Sequence, residues 1–175
     1  MTARVQPVVP GTRPDVAEHE ARILASRGRI TPLYQVLLNS PPVVAGWEAL
    51  LTAIRQQTSL LPSQRELVIL RVAILNRAPY EFDAHVPHAL AAGMPQAAID
   101  ALRHEDASHA LALLGDIDRM IVAFTDAMTR DIDVPDAVYD PLAEKLGSQG
   151  MVELAATVGA YNMVSRFLVA LRVGH

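Results

Sequence analysis

Residues 62–93, PSQRELVILRVAILNRAPYEFDAHVPHALAAG, read as two helices joined at a tight break over 76–79. The first, over 61–76, is almost wholly apolar and carries Glu66 and Arg71 as its ionisable exceptions. The second, over 80–92, carries Tyr80, Glu81, His85 and His88, and Gly93 closes it. Two helices meeting at a short turn bring ionisable groups from each towards one another. Glu81 and His85 are four residues apart, so they share a helix face. The stretch therefore reads as a site, built on an all-helical frame.

Outward from it the same period continues. The segments 15–28, 30–40 and 42–57 read as helices on the N-terminal side, with Pro32 at a helix start and Gly28 in a C′ position. In the third, Val43, Val44, Trp47, Leu50, Leu51 and Ile54 recur at helical spacing, and Trp47 reads as a packing anchor. On the C-terminal side 95–103, 113–130, 135–146 and 151–173 follow, with a polar turn at 104–108 and another turn at 147–150. The last helix is nearly all apolar and reads as buried on most sides, with Tyr161, Asn162 and Arg166 as its polar exceptions. No alternating run or Asn-Gly or Asp-Gly hairpin signal appears. The fold class is all-α: a helical bundle of one domain over 15–175, preceded by an arm over 1–14 that is extended or disordered.

Composition narrows the partners. The net charge is −4 with only 5% aromatic residues and no basic stripe, the opposite of a nucleic-acid surface. No apolar run reaches the 18 or so residues of a membrane span, and the prolines of MTARVQPVVPGTRPD interrupt any signal-peptide core. A cytoplasmic protein without membrane attachment is expected. Apolar residues make up 51% and charged ones 19%, more apolar surface than one small core needs, which points to a homo-oligomer with buried helix interfaces. There is no cysteine, which excludes disulfides, thiolate metal sites and thiol catalysis.

Within the central stretch each residue has a structural and a chemical reading. Ser63 and Glu66 fit a capping box, yet Glu66 also leans towards the turn as a proton acceptor or relay. His85 is the acid–base candidate, with Glu81 one turn away to orient the ring, or else the two form a surface pair of little value. Glu81, His85 and His88 lie on one face, but one helix seldom completes a metal site and no HExxH pattern occurs, so no metal and no cofactor are expected. Arg71 either holds a substrate carboxylate or pairs with an acid at a helix interface. Arg166, in a helix read as buried, demands a carboxylate partner from protein or substrate.

The run RELVILRVAILNRAPYEFDAHVPHALAAGMPQAAIDAL resembles the core of the carboxymuconolactone decarboxylase family, whose superfamily includes the AhpD-like alkylhydroperoxidases. ILASRGRITPLYQVLLNSPPVVAGWEALL is similar to that family's N-terminal helices and VELAATVGAYNMVSRFLVAL to its last one, so the resemblance covers roughly residues 20–172. It implies an AhpD-like helical bundle assembled into homotrimers or homohexamers, with sites near subunit interfaces. The peroxidase branch carries a Glu, eleven residues, a Cys, two residues, a Cys, three residues and a His. On this chain the acid falls on Glu66 and the histidine on His85, while the cysteine positions hold Ala78 and Glu81. Peroxide reduction in that branch needs an attacking and a resolving thiol, so peroxidase activity is not expected. The decarboxylase branch needs no thiol. The resemblance thus implies a lyase or isomerase acting on a small carboxylated or lactone-like molecule. His85 would be the acid–base, Glu66 or Glu81 its partner, and Tyr80, Arg71, His88 and Arg166 substrate contacts. A non-catalytic binding or assembly protein on the same fold is the alternative.

Overall fold

The computed structural model describes residues 3–174, and among these no residue is in a strand. The chain divides into two compact units, one formed by residues 3–57 with 168–174 and the other by Thr58–Phe167.

In the first unit a single 3-10 turn, Pro14–Val16, leads into α1 (Ala17–Arg27). Gly28 ends α1 in the left-handed conformation, φ 73°, and its N–H returns to the Leu24 carbonyl at 2.8 Å. Then come α2 (Pro32–Leu37) and α3 (Pro41–Gln56), each started by a proline whose missing N–H costs nothing in a first turn. α3 packs on both α1 and α2. Its buried stripe is Val44, Trp47, Leu51 and Ile54, while Val43 and Leu50, which also fit the period, lie on the exposed side. The arm is extended and tied down. Arg4 N–H reaches the Leu171 carbonyl at 2.9 Å, and Val8 N–H reaches that of Gln35 at 2.9 Å. The buried Glu20 carboxylate accepts the Gly11 N–H. Residues 1 and 2 of the expected arm lie outside the described residues.

The second unit holds α4 (Pro62–Leu75), α5 (Pro79–Ala91), α6 (Gln96–Leu102), α7 (Ser108–Ala112) and α8 (Asp116–Arg130). It also holds most of α9 (Asp136–Leu171). α4 packs against α5, α6 and α8. Val68, Ile69, Leu70, Val72 and Ala73 are all fully buried, so α4 is enclosed on every side instead of showing one wet face. Burial of each large aliphatic side chain there is worth roughly 1.5–3 kcal/mol.

Enclosure also fixes the fate of Arg71. Its Nε and Nη2 donate to Asp126 of α8 at 2.6 and 2.5 Å, and Nη1 and Nη2 donate to the His104 and Glu105 carbonyls at 3.2 and 2.9 Å. This arginine is an interface clamp that holds the 104–107 turn against α4 and α8.

Several boundaries differ from the sequence reading. The capping acid of α4 is not Glu66. Leu61 is the N-cap, and Gln64 at the third position accepts the Leu61 N–H at 3.4 Å. A leucine has no side-chain acceptor to return the bond, so the box is half made. The segment expected to run as one helix from 113 breaks at Gly115, and the short α7 precedes it. The turn expected over 147–150 shrinks to Gly147 alone, φ 65° and ψ 179°, after which α9 resumes at once. α9 is long and apolar enough, by length and composition, to cross a membrane, contrary to the count of apolar runs. Core helices pass the same test, and half of its most apolar window is buried inside the protein.

Candidate active site

The site lies where α4 and α5 face each other. The turn between them is tight because Arg77 takes a left-handed φ of 55°, which lets the Ala78 N–H return to the Ala73 carbonyl at 2.8 Å. Pro79 then starts α5 without a wasted donor. The two helices leave this turn side by side, and Glu66 of α4 meets His85 of α5. Glu66 Oε2 lies 2.7 Å from His85 Nδ1, a buried hydrogen bond between side chains. Glu66 is 2% exposed and His85 8%.

The carboxylate that holds the ring is therefore Glu66, across the helix interface, and not Glu81 one turn away. Glu81 is itself 2% exposed, and neither of its oxygens has a hydrogen-bond partner among the described residues. Burial pushes its carboxyl well above the usual range.

Two rings bracket His85. Tyr161 of α9 stands edge-on to it with ring centroids 5.5 Å apart, and His88 lies 5.5 Å away at a tilt of 51°. Tyr161 is buried, whereas His88 is exposed, so the site runs from the interior to the surface along α5. Glu81, His85 and His88 do not gather as ligands, and among the described residues no group of three or more such side chains could hold a metal ion.

The remaining candidates are distributed differently. Tyr80 is half-buried at the start of α5. Arg71 is committed to Asp126. Arg166 is exposed, because the buried side of α9 at that point is made by Val164, Ser165 and Leu168. Its expected burial does not occur. Asn162 is bound to Asn76, Thr129 and the Val158 carbonyl, a structural polar network.

The basic residue that lies at the pair is Arg65. Its side chain is only 14% exposed, its Nε is 3.8 Å from Glu66 Oε1, and that Nε makes no hydrogen bond among the described residues. Sequence reading passed over it because it precedes the apolar run. The usable signal was the run itself: a helix enclosed on all sides cannot send an arginine in its first turns fully into water. Tyr161 was visible as a polar exception in the last helix, but nothing in the sequence aimed it at His85. A separate cleft on this unit, lined by Ser63, Leu67, Gly93, Met94, Leu114 and Asp118, includes none of these residues.

The Carboxymuconolactone decarboxylase family profile matches residues 41–114, which contain the whole α4–α5 hairpin. No protein of curated function matches the sequence. Among solved structures, an uncharacterized peroxidase-related protein from Silicibacter sp. TM1040 is 18% identical with a TM-score of 0.81, covering 98% of this chain and 90% of its own. An uncharacterized peroxidase-related protein from Ralstonia eutropha JMP134, described as an alkylhydroperoxidase AhpD core, is 15% identical with a TM-score of 0.82 over 98% of this chain and 90% of its own. The debrominase Bmp8, solved with 2,3,4-tribromopyrrole, is 14% identical with a TM-score of 0.79 over 99% of this chain and 91% of its own. Identities this low establish a shared fold. Residues 41–114 match the carboxymuconolactone decarboxylase family, and the chain as a whole has the AhpD-like all-α fold in a form without cysteine.

Proposed function

We propose that this protein is a cofactor-independent lyase or isomerase that uses acid–base chemistry on a small carboxylated or lactone-like molecule, and that it works as a homo-oligomer. The observation that carries the reading is the buried 2.7 Å hydrogen bond between His85 Nδ1 and Glu66 Oε2. A carboxylate in that position fixes the ring and its tautomer, so proton exchange with a substrate falls to Nε2. Decarboxylation or double-bond migration next to a carbonyl needs a group that moves one proton to or from carbon while charge builds on oxygen. Arg65 is the group placed to hold a substrate carboxylate, in the role first considered for Arg71. The family match and a debrominase on the same fold with a small ring bound to it are consistent with a small cyclic substrate. A thiol peroxidase is disfavoured by the residues themselves, since Ala78 and Glu81 can neither attack a peroxide nor resolve the product.

The test is turnover of a panel of small carboxylated lactones, followed as carbon dioxide release and ultraviolet change. His85→Ala should lower the rate by roughly 10²–10⁴-fold while circular dichroism stays helical. Full activity in that variant would remove His85 from the mechanism. A folded protein inert to the whole panel would favour the alternative, a binding or assembly protein.

A further inference from the structure

Glu81 is a buried ionisable group at this site for which the fold provides no hydrogen bond. It is 2% exposed, and both of its oxygens lack a partner among the described residues. An ionised carboxyl so placed would give up water and receive nothing in exchange. Glu66 is equally buried but hydrogen-bonded to His85, so the two acids of one site sit in opposite environments. Environments that separate two carboxyls in this way assign them different tasks. Glu81 also precedes His85 by one turn of α5, which puts the two side chains on the same face of that helix.

Resting on the acid–base reading above, we infer that Glu81 is a neutral carboxylic acid whose O–H donates a hydrogen bond to the carbonyl oxygen of the bound substrate, while His85 moves the proton. As electrons from the breaking C–C or C–H bond collect on that oxygen, a neutral donor stabilises the developing enolate, whereas a carboxylate would repel it. The proton stays on Glu81 throughout, and His85 returns one proton to carbon, so the cycle balances without a further reactant. The substrate class narrows accordingly to molecules with a ketone, ester or lactone carbonyl conjugated to the reacting carbon. Burial raises the proton affinity of Glu81 in the same direction.

Two measurements on the intact protein test this. In protein carrying ¹³C-labelled glutamate side chains, the carboxyl signal that disappears in Glu81→Gln should have the shift of a protonated acid at neutral pH. 4-Nitrophenolate, a stand-in for an enolate oxygen, should bind, with affinity at least roughly tenfold weaker in Glu81→Ala and largely kept in Glu81→Gln, whose amide still donates. A carboxylate shift at neutral pH would overturn the inference. So would absence of probe binding, or equal affinity in the Ala variant. Neither measurement depends on turnover, so the His85→Ala result stands or falls separately.

Discussion

At the scale of single residues, the difference between Glu66 and Glu81 has a thermodynamic consequence. Glu81 titrates higher in the folded protein than an ordinary glutamate does in an unfolded chain, because burial disfavours its charged form. Between those two values the native state binds the extra proton, so stability is complete below the ordinary glutamate range and falls as pH rises through the folded value. Glu81→Gln cannot ionise and should lack this slope. The variant should match the parent near pH 4 and exceed it increasingly towards neutrality, by up to about 1.4 kcal/mol per pH unit inside the window. Urea unfolding of both proteins across that range measures it, and parallel pH profiles would refute the assignment. Glu66 was readable as a cap or as a proton relay; the structure removes the cap, because Gln64 occupies the capping position.

At the scale of elements, α4 does two jobs. It supplies Glu66 to the site, and through Arg71 it anchors the turn before α7. The Arg71 side chain is 1% exposed and its Asp126 partner 27%. Truncating one member of a pair so enclosed leaves the other charge and two carbonyls unanswered. Arg71→Ala should therefore cost about 3 kcal/mol of unfolding free energy in a denaturant titration. A loss below about 1 kcal/mol would mean that the clamp is far better solvated than its burial indicates. The helix period in the sequence announced α4 and α5 and placed their ends within a residue or two. It misjudged the start of α8, since Leu113 and Leu114 continue the apolar pattern of that helix while Gly115 breaks the backbone.

At the scale of the whole molecule, the surface keeps large apolar side chains in water, among them Ile132 at 87% and Val152 at 69% exposed. Such surface, with the family resemblance, underlies the expectation of a homotrimer or homohexamer. Light scattering coupled to size exclusion should give three or six times the 19.0 kDa chain mass; a monomer at micromolar concentration would refute it. The sequence by itself determined the helical class, because apolar spacing repeats at the helix period from 15 to 173 and nowhere alternates. It also determined that no thiol takes part, since that needs only a count. Only the tertiary structure decided which acid holds His85, where Arg71 and Arg166 go, and that Arg65 and Tyr161 reach the site. The reason is physical. Period gives the face of a helix on which a side chain lies, but the partner across the interface depends on how two helices are rotated and offset against each other, and packing of the whole core sets that.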